Sequence, residues 1–329
     1  MVAARLQIAV DTLGSESSTD HIVAGAREFI DANSDCDLTL IGRRPDLSDF
    51  PANRCRIVDC PTAVPQHATL LDVLRKKSDS SLRTGLSLLS DRSVHALVST
   101  GNSGALMVLG RQIISTLPGI TRPAMIKQFT RATGSFWMLD LGANLARRPG
   151  LLSEFARIGS AYASSIGGLK EAKVALLNIG MEAHKGPQYL RDTAVELARD
   201  PKVNFVGYIE AHALFDGIAD VVVTDGFTGN VVLKSIEGAL GIARQHVQDA
   251  LNSSDDAKNE SVSKRVNSRL NAQTYNGASL VGLRGVIVKC HGNTNHIGIR
   301  SALALAKHEI IAQVPQRLET HFEQSQKLN

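Results

Sequence analysis

Aromatic side chains are scarce in this chain: phenylalanine, tyrosine and tryptophan together make up 4% of it, with a single tryptophan. Few rings remain to stack on bases, which disfavours nucleic acid as a partner and leaves the core to Leu, Ile, Val and Ala. Cysteine is sparse too. Cys36, Cys55, Cys60 and Cys290 form no CxxC pair, and so low a density excludes a disulfide scaffold and fits a reducing cytoplasm. Cys55 and Cys60 flank a short strand-like run, but two further zinc ligands at matching spacing are missing, so no zinc site is expected there. No run reaches the ~18 apolar residues of a spanning helix, and the N-terminus lacks a charged start followed by an apolar signal core. The chain is therefore not expected to be integral to a membrane, while peripheral attachment through a short amphipathic helix stays open.

What is present describes a globular enzyme-sized chain. Its 329 residues are 43% hydrophobic and 21% charged, enough for one large α/β unit or two closely joined ones. A net charge of +4 favours an acidic partner or an anionic surface. Apolar runs read as strands at Leu6 to Val10, Leu38 to Ile41, His95 to Ser99, Ser135 to Leu141, Val174 to Asn178, Val203 to Val206, Val221 to Thr224 and Val286 to Lys289. Between them lie helical patterns, including Thr19 to Ala32, Ser153 to Ile166, Gln188 to Arg199 and Asn230 to Ala250. The alternation predicts an α/β fold with a mostly parallel, doubly wound sheet. The polar stretch 252–276 reads as a helical insertion into a single domain spanning 1–329.

In such sheets ligands bind where strands end and helix N-termini begin. Four loops in that position carry Gly with small polar residues: Ser99 to Gly104, Asp140 to Asn144, Asn178 to Gly180, and Thr224 to Asn230. Gly lets backbone amides approach an anion, although each loop taken singly is more often a plain tight turn. None matches the GxxxxGK[ST] or GxGxxG patterns, so ATP and NAD are disfavoured.

Several segments also resemble a family. Arg75 to Ser81, Ser99 to Ala105, Leu117 to Ala124, Leu177 to Gly180, Asp225 to Asn230, and Gly282 to Val286 leading to Lys289 and His291-Gly292 are similar, in order, to signature segments of the bacterial acyl-ACP:phosphate acyltransferases. The resemblance implies a homodimer with a fold like the isopropylmalate dehydrogenase and phosphotransacetylase group. It implies transfer of a long-chain acyl group from acyl carrier protein to inorganic phosphate, without metal or organic cofactor, feeding phospholipid synthesis, in a cytoplasmic protein that touches the inner face of the cell membrane peripherally. Three loops differ from the family pattern, one of them through an acidic run before Lys185 that is thinned to Met181-Glu182-Ala183-His184. Asp11-Thr12-Leu13-Gly14-Ser15-Glu16 stands where the family has Asp-Ala-Met-Gly-Gly-Asp, and Leu145-Ala146-Arg147-Arg148 replaces an acidic neighbourhood.

The resemblance assigns Lys185, in the loop after the Val174 strand, as a catalytic cation for phosphate or the leaving sulfur; its alternative is a solvated lysine. Asn230, at an expected helix start, is the second catalytic candidate, able to bond the carbonyl oxygen or to cap the helix. Gly101, Asn102, Ser103, Gly104, Asn144, Gly180, Asp225, Gly226, Thr228 and Gly229 are candidates for phosphate contact. Asp11, His184 and His291 are weaker ones, the histidines through a pKa near neutrality. Two rivals stay open: a noncatalytic carrier-protein or phospholipid-pathway binding paralogue, and a phosphotransacetylase-like enzyme using acyl-CoA.

Overall fold

The computed structural model describes residues 5–47, 50, 53–75, 79–145, 148–252, 262–263, 266 and 277–326. Most of the expected 252–276 insertion, together with Lys76, Lys77, Ala146 and Arg147, lies outside them. Among the described residues one sheet holds eleven strands. These are β1 (Leu6–Asp11), β2 (Cys36–Gly42), β3 (Cys55–Asp59), β4 (Ala96–Ser99), β5 (Ala124–Thr130), β6 (Ser135–Leu139), β7 (Lys173–Leu177), β8 (Asn204–Ile209), β9 (Val221–Val223), β10 (Ala278–Val281) and β11 (Val286–Lys289). Their order is β3-β2-β1-β4-β11-β10-β5-β6-β9-β7-β8.

Each strand expected from an apolar run is present, within a few residues. β5 and β10 are additions, and they form the middle of the sheet. The β11–β10, β10–β5 and β5–β6 pairings are antiparallel, whereas the pairings on either side are parallel. Three reversals turn the direction over, so β6, β9, β7 and β8 run opposite to β1, β2, β3, β4 and β11.

Alternation along the strands builds three apolar clusters, one on one face of the sheet and two on the other. Phe136, Met138, Val222, Ala9, Leu97 and Ile287 face one shared layer. Trp137, Leu139, Val221 and Val223 face a second, and Ile8, Val10, Val286 and Val288 a third on that same opposite side. Side chains alternate with period two along a strand, so a strand covered on both faces reads as a continuous apolar run. The helices that supply the cover are α1 (Thr19–Ala32), a short α2 (Leu70–Arg75), α3 (Ser81–Ser90), α4 (Ser103–Ile113), α5 (Leu151–Gly167), α6 (Gln188–Ala198), α7 (Gly226–Asn252), α8 (His296–Ile311) and α9 (Val314–Gln326). Ile22, Ala26 and Phe29 of α1 pack with Ile299, Ala302 and Leu303 of α8 over the β1 side. Phe155, Ile158 and Tyr162 of α5 pack with Leu318 and Phe322 of α9 over the β6 side. No helix among the described residues is long and apolar enough to cross a membrane.

Candidate active site

Where β4, β11 and β6 end, two buried aspartates shape the loops. Asp11, at the end of β1, accepts a hydrogen bond from the Ser99 hydroxyl at 2.8 Å and from the Leu13 amide at 3.2 Å. Ser99 Oγ in turn accepts from the Gly101 amide at 3.1 Å. Asp140 accepts from the amides of Met125, Ala143 and Asn144 at 3.0, 2.9 and 2.7 Å, and from the Asn144 side chain at 2.9 Å. Burial pushes both carboxyls above the usual aspartate value, and the donors pull them back. Each aspartate thus fixes a Gly-bearing turn from beneath.

Above these turns opens a cleft of about 320 Å³. Gly101 and Ser103 border it from the β4 end, Leu141 and Gly142 from the β6 end, and Asn230 from the first turns of α7. His291 and Gly292 close it after β11. Three lysines reach it: Lys127 from β5, Lys234 from α7 and Lys289 from the end of β11. The titratable lining is completed by Glu16, Glu237, Cys290 and His291.

Lys289 is 7% exposed. Its ammonium donates to the Thr100 carbonyl at 3.4 Å and to the Cys290 carbonyl. Burial lowers its pKa to about 8, with Cys290 and Asp11 countering. Lys127 is likewise lowered by burial, with Glu237 opposing. Glu237 Oε2 lies 2.8 Å from Lys234 Nζ and 3.9 Å from His291 Nε2, and its Oε1 lies 3.6 Å from Lys127 Nζ. Lys234 Nζ also contacts His291 Nε2. Burial and the neighbouring Lys234 hold His291 below its ordinary pKa. A partly desolvated, cation-rich cleft of this kind suits a small polyanion.

The expected residues divide sharply on this geometry. Gly101, Ser103, Asn230 and His291 border the cleft, and Asp11 lies under it. Asn102 caps α4, accepting from the Ala105 amide at 3.0 Å while its amide donates to the Pro65 and Gln66 carbonyls. Gly104 packs near Leu70 of α2. Asp225 caps α7, accepting from the Thr228 amide at 3.0 Å and hydroxyl at 2.9 Å, and it also accepts from Tyr189 at 2.9 Å. The capping role that Asn230 could have filled thus belongs to Asp225. Gly226 and Gly229 are required by close packing: a Cβ on Gly229 would stand 2.0 Å from the Asp140 carbonyl oxygen, and one on Gly226 2.5 Å from that of Asn144. Asn144 is buried with its amide on the Pro123 carbonyl and Asp140, beside a separate small cavity near Tyr189 and Asp225.

Gly180, His184 and Lys185 belong to the loop after β7, where a Gly180 Cβ would press on Lys185. His184 and Lys185 are exposed and are not among the residues lining the cleft. Their loop nevertheless neighbours that of Asn230, because β7 and β9 pair and Tyr189 bridges to Asp225. Around these loops Leu145, Ile179, Met181, Phe227 and Val231 stand exposed to solvent. Sequence reasoning missed Lys127, Lys234, Glu237 and Lys289 as site residues. Only Lys289 left a signal, as a lysine ending an otherwise apolar strand directly before Cys290-His291-Gly292.

Comparison with known proteins shows the family of the chain. The pattern of the fatty acid synthesis protein family matches residues 6–317. Phosphate acyltransferase from Pseudomonas savastanoi pv. phaseolicola is 38% identical, with 96% of each chain covered, and that from Nitrosococcus oceani 35% identical, again over 96% of each. Among solved structures, a branched-chain phosphotransacylase from Enterococcus faecalis superposes with a TM-score of 0.60 at 15% identity, covering 93% of this chain and 99% of that one. EutD phosphotransacetylase from Staphylococcus aureus gives 0.57 at 13% identity over 94% of each; at such identities the likeness is one of fold. The chain belongs to the fatty acid synthesis protein family and is a relative of the bacterial phosphate acyltransferases.

Proposed function

We propose that the chain transfers an acyl group from a thioester to inorganic phosphate within this cleft. The observation that carries the reading is the convergence of Lys127, Lys234 and Lys289 on a cleft floored by the Gly101 and Gly142 turns. The reaction needs little covalent help from the protein. A phosphate oxygen attacks the carbonyl carbon, the C–S bond breaks, and the proton of hydrogen phosphate ends on the departing sulfur. Acyl phosphate and free thiol result. What the protein supplies is position and charge.

Lys289 is placed to fix a phosphate oxygen, since among the described residues its ammonium donates to main-chain carbonyls and lines the cleft. Asn230 can donate to the carbonyl oxygen as it becomes an oxyanion. His291 and Lys234, in contact, can pass a proton to the thiolate. Lys185, on the neighbouring loop among exposed apolar side chains, is suited to steady the donor or the leaving sulfur from outside the cleft. We read those apolar side chains as the approach for a fatty acyl donor carried by acyl carrier protein. The whole chain acts as one catalytic unit, working as a homodimer in the cytoplasm with peripheral contact at the membrane.

The test is to mix purified protein with acyl-loaded carrier protein and phosphate and to follow release of the carrier. Phosphate-dependent release is expected. No release would favour a noncatalytic binding protein, and release from short-chain acyl-CoA alone would move the assignment to a phosphotransacetylase-type donor.

A further inference from the structure

Glu237 stands at an unexpected place for an anion-binding cleft. Its carboxylate lies between lysines that come from different elements, Lys127 of β5 at 3.6 Å and Lys234 of its own helix at 2.8 Å, with His291 at 3.9 Å. Lys289 and Glu16 line the same space. Burial alone would raise the Glu237 pKa, but the Lys234 hydrogen bond and the Lys127, Lys234 and His291 charges outweigh it and leave it below the ordinary value. The group is therefore an ionised carboxylate, which accepts hydrogen bonds and donates none.

Oxyanions differ in how they meet such a group. Hydrogen phosphate at neutral pH carries two negative charges and one P–OH proton; sulfate carries the same charge and the same shape without a proton. An acceptor-only carboxylate in the anion's contact sphere welcomes the first and repels the second. We propose that Glu237 is a specificity-determining residue of the cleft: it holds Lys127 and Lys234 in the absence of ligand and, once phosphate enters, accepts the P–OH hydrogen bond, thereby excluding fully deprotonated oxyanions such as sulfate. This rests on the reading of the cleft as the phosphate site. Attraction comes from the lysines, and discrimination comes from the carboxylate set between two of them.

The experiment is titration calorimetry of inorganic phosphate and of inorganic sulfate, separately, into the wild-type protein and into Glu237→Gln. A glutamine of the same shape presents an N–H donor as well as an acceptor, so the ratio of sulfate to phosphate dissociation constants is expected to fall by about tenfold or more, mainly through tighter sulfate binding. Glu237→Asp, which keeps the carboxylate, should retain most of the preference, and Glu237→Ala should lose it; these two also serve if the glutamine variant folds poorly. An unchanged ratio in Glu237→Gln and Glu237→Ala, with phosphate still bound, overturns the role of Glu237 and leaves the phosphate site standing. Failure of the wild-type protein to bind phosphate at all overturns both.

Discussion

The two directions of the sheet end in loops of the same design and opposite character. On the β1, β4 and β11 side, Asp11 holds the Ser99-to-Gly101 turn and the adjoining functional groups are charged: Lys289, His291 and Glu16. On the β6, β9 and β7 side, Asp140 holds the Gly142-to-Asn144 turn, and the loops beside it expose Leu145, Ile179, Met181, Phe227 and Val231 with the amide of Asn230 at their inner edge. On the proposed function, the first half takes the inorganic anion and the second the partly apolar donor. A reaction joining phosphate to a fatty thioester needs both, meeting at one cleft, and β5, β10 and α7 bring them there.

The comparison can be broken at its packing first. Gly229→Ala forces a Cβ to within 2.0 Å of the Asp140 carbonyl oxygen and 2.8 Å of Thr224, so urea denaturation should show a loss of about 3 kcal/mol. A wild-type midpoint would mean that α7 does not approach the Asp140 turn so closely.

The joint between the halves offers the next test. Glu309 of α8 accepts from Tyr162 of α5 and from Ser279 of β10, fully buried, and burial raises its pKa to about 7. The native state therefore keeps this proton up to about pH 7, whereas the unfolded chain releases it near the ordinary glutamate value. The stability so gained is complete at low pH and is lost as pH rises through that window. Glu309→Gln, which cannot ionise, should be more stable than wild type by about 3 kcal/mol at pH 8, with the difference shrinking toward pH 4. A pH-independent difference in thermal or denaturant stability would show that Glu309 does not hold its proton.

Catalytic substitutions sharpen the contrast of function. Asn230→Ala and Lys185→Ala should fold normally and lose turnover by about a hundredfold with phosphate affinity little changed. A variant of either kind that keeps wild-type rate removes that residue from the mechanism. Gly101→Ala should have the smallest effect, within about 1 kcal/mol in stability, because its Cβ would come only to 3.2 Å from Asp11 Oδ2.

The sequence made the parallel parts of the sheet legible because strands covered on both faces must be apolar throughout, as Val221 to Val223 and Val286 to Val288 are. It hid β5 and β10 for the opposite reason. β5 carries Lys127 and Gln128 in mid-strand, and β10 is four residues long after a polar stretch. The same Lys127 lines the cleft, so the feature that hid the strand is the one that charges the cleft. Loops were legible from Gly at strand ends, but which Gly serves packing was not: Gly226 and Gly229 answer to the Asp140 turn across the fold. Lys234 and Glu237, three apart on a helix, look like an ordinary surface pair. Only the approach of β5 and His291 gives them a different meaning.

Phosphate binding to Lys289→Met is the most direct test of the account. Calorimetry with inorganic phosphate at pH 7 should show affinity reduced by about a hundredfold or more from wild type, in a variant that keeps the wild-type circular dichroism spectrum. The wild-type affinity should itself weaken as pH rises past about 8, where Lys289 loses its charge. Wild-type phosphate affinity in Lys289→Met would contradict the claim that phosphate is held where β4 and β11 end.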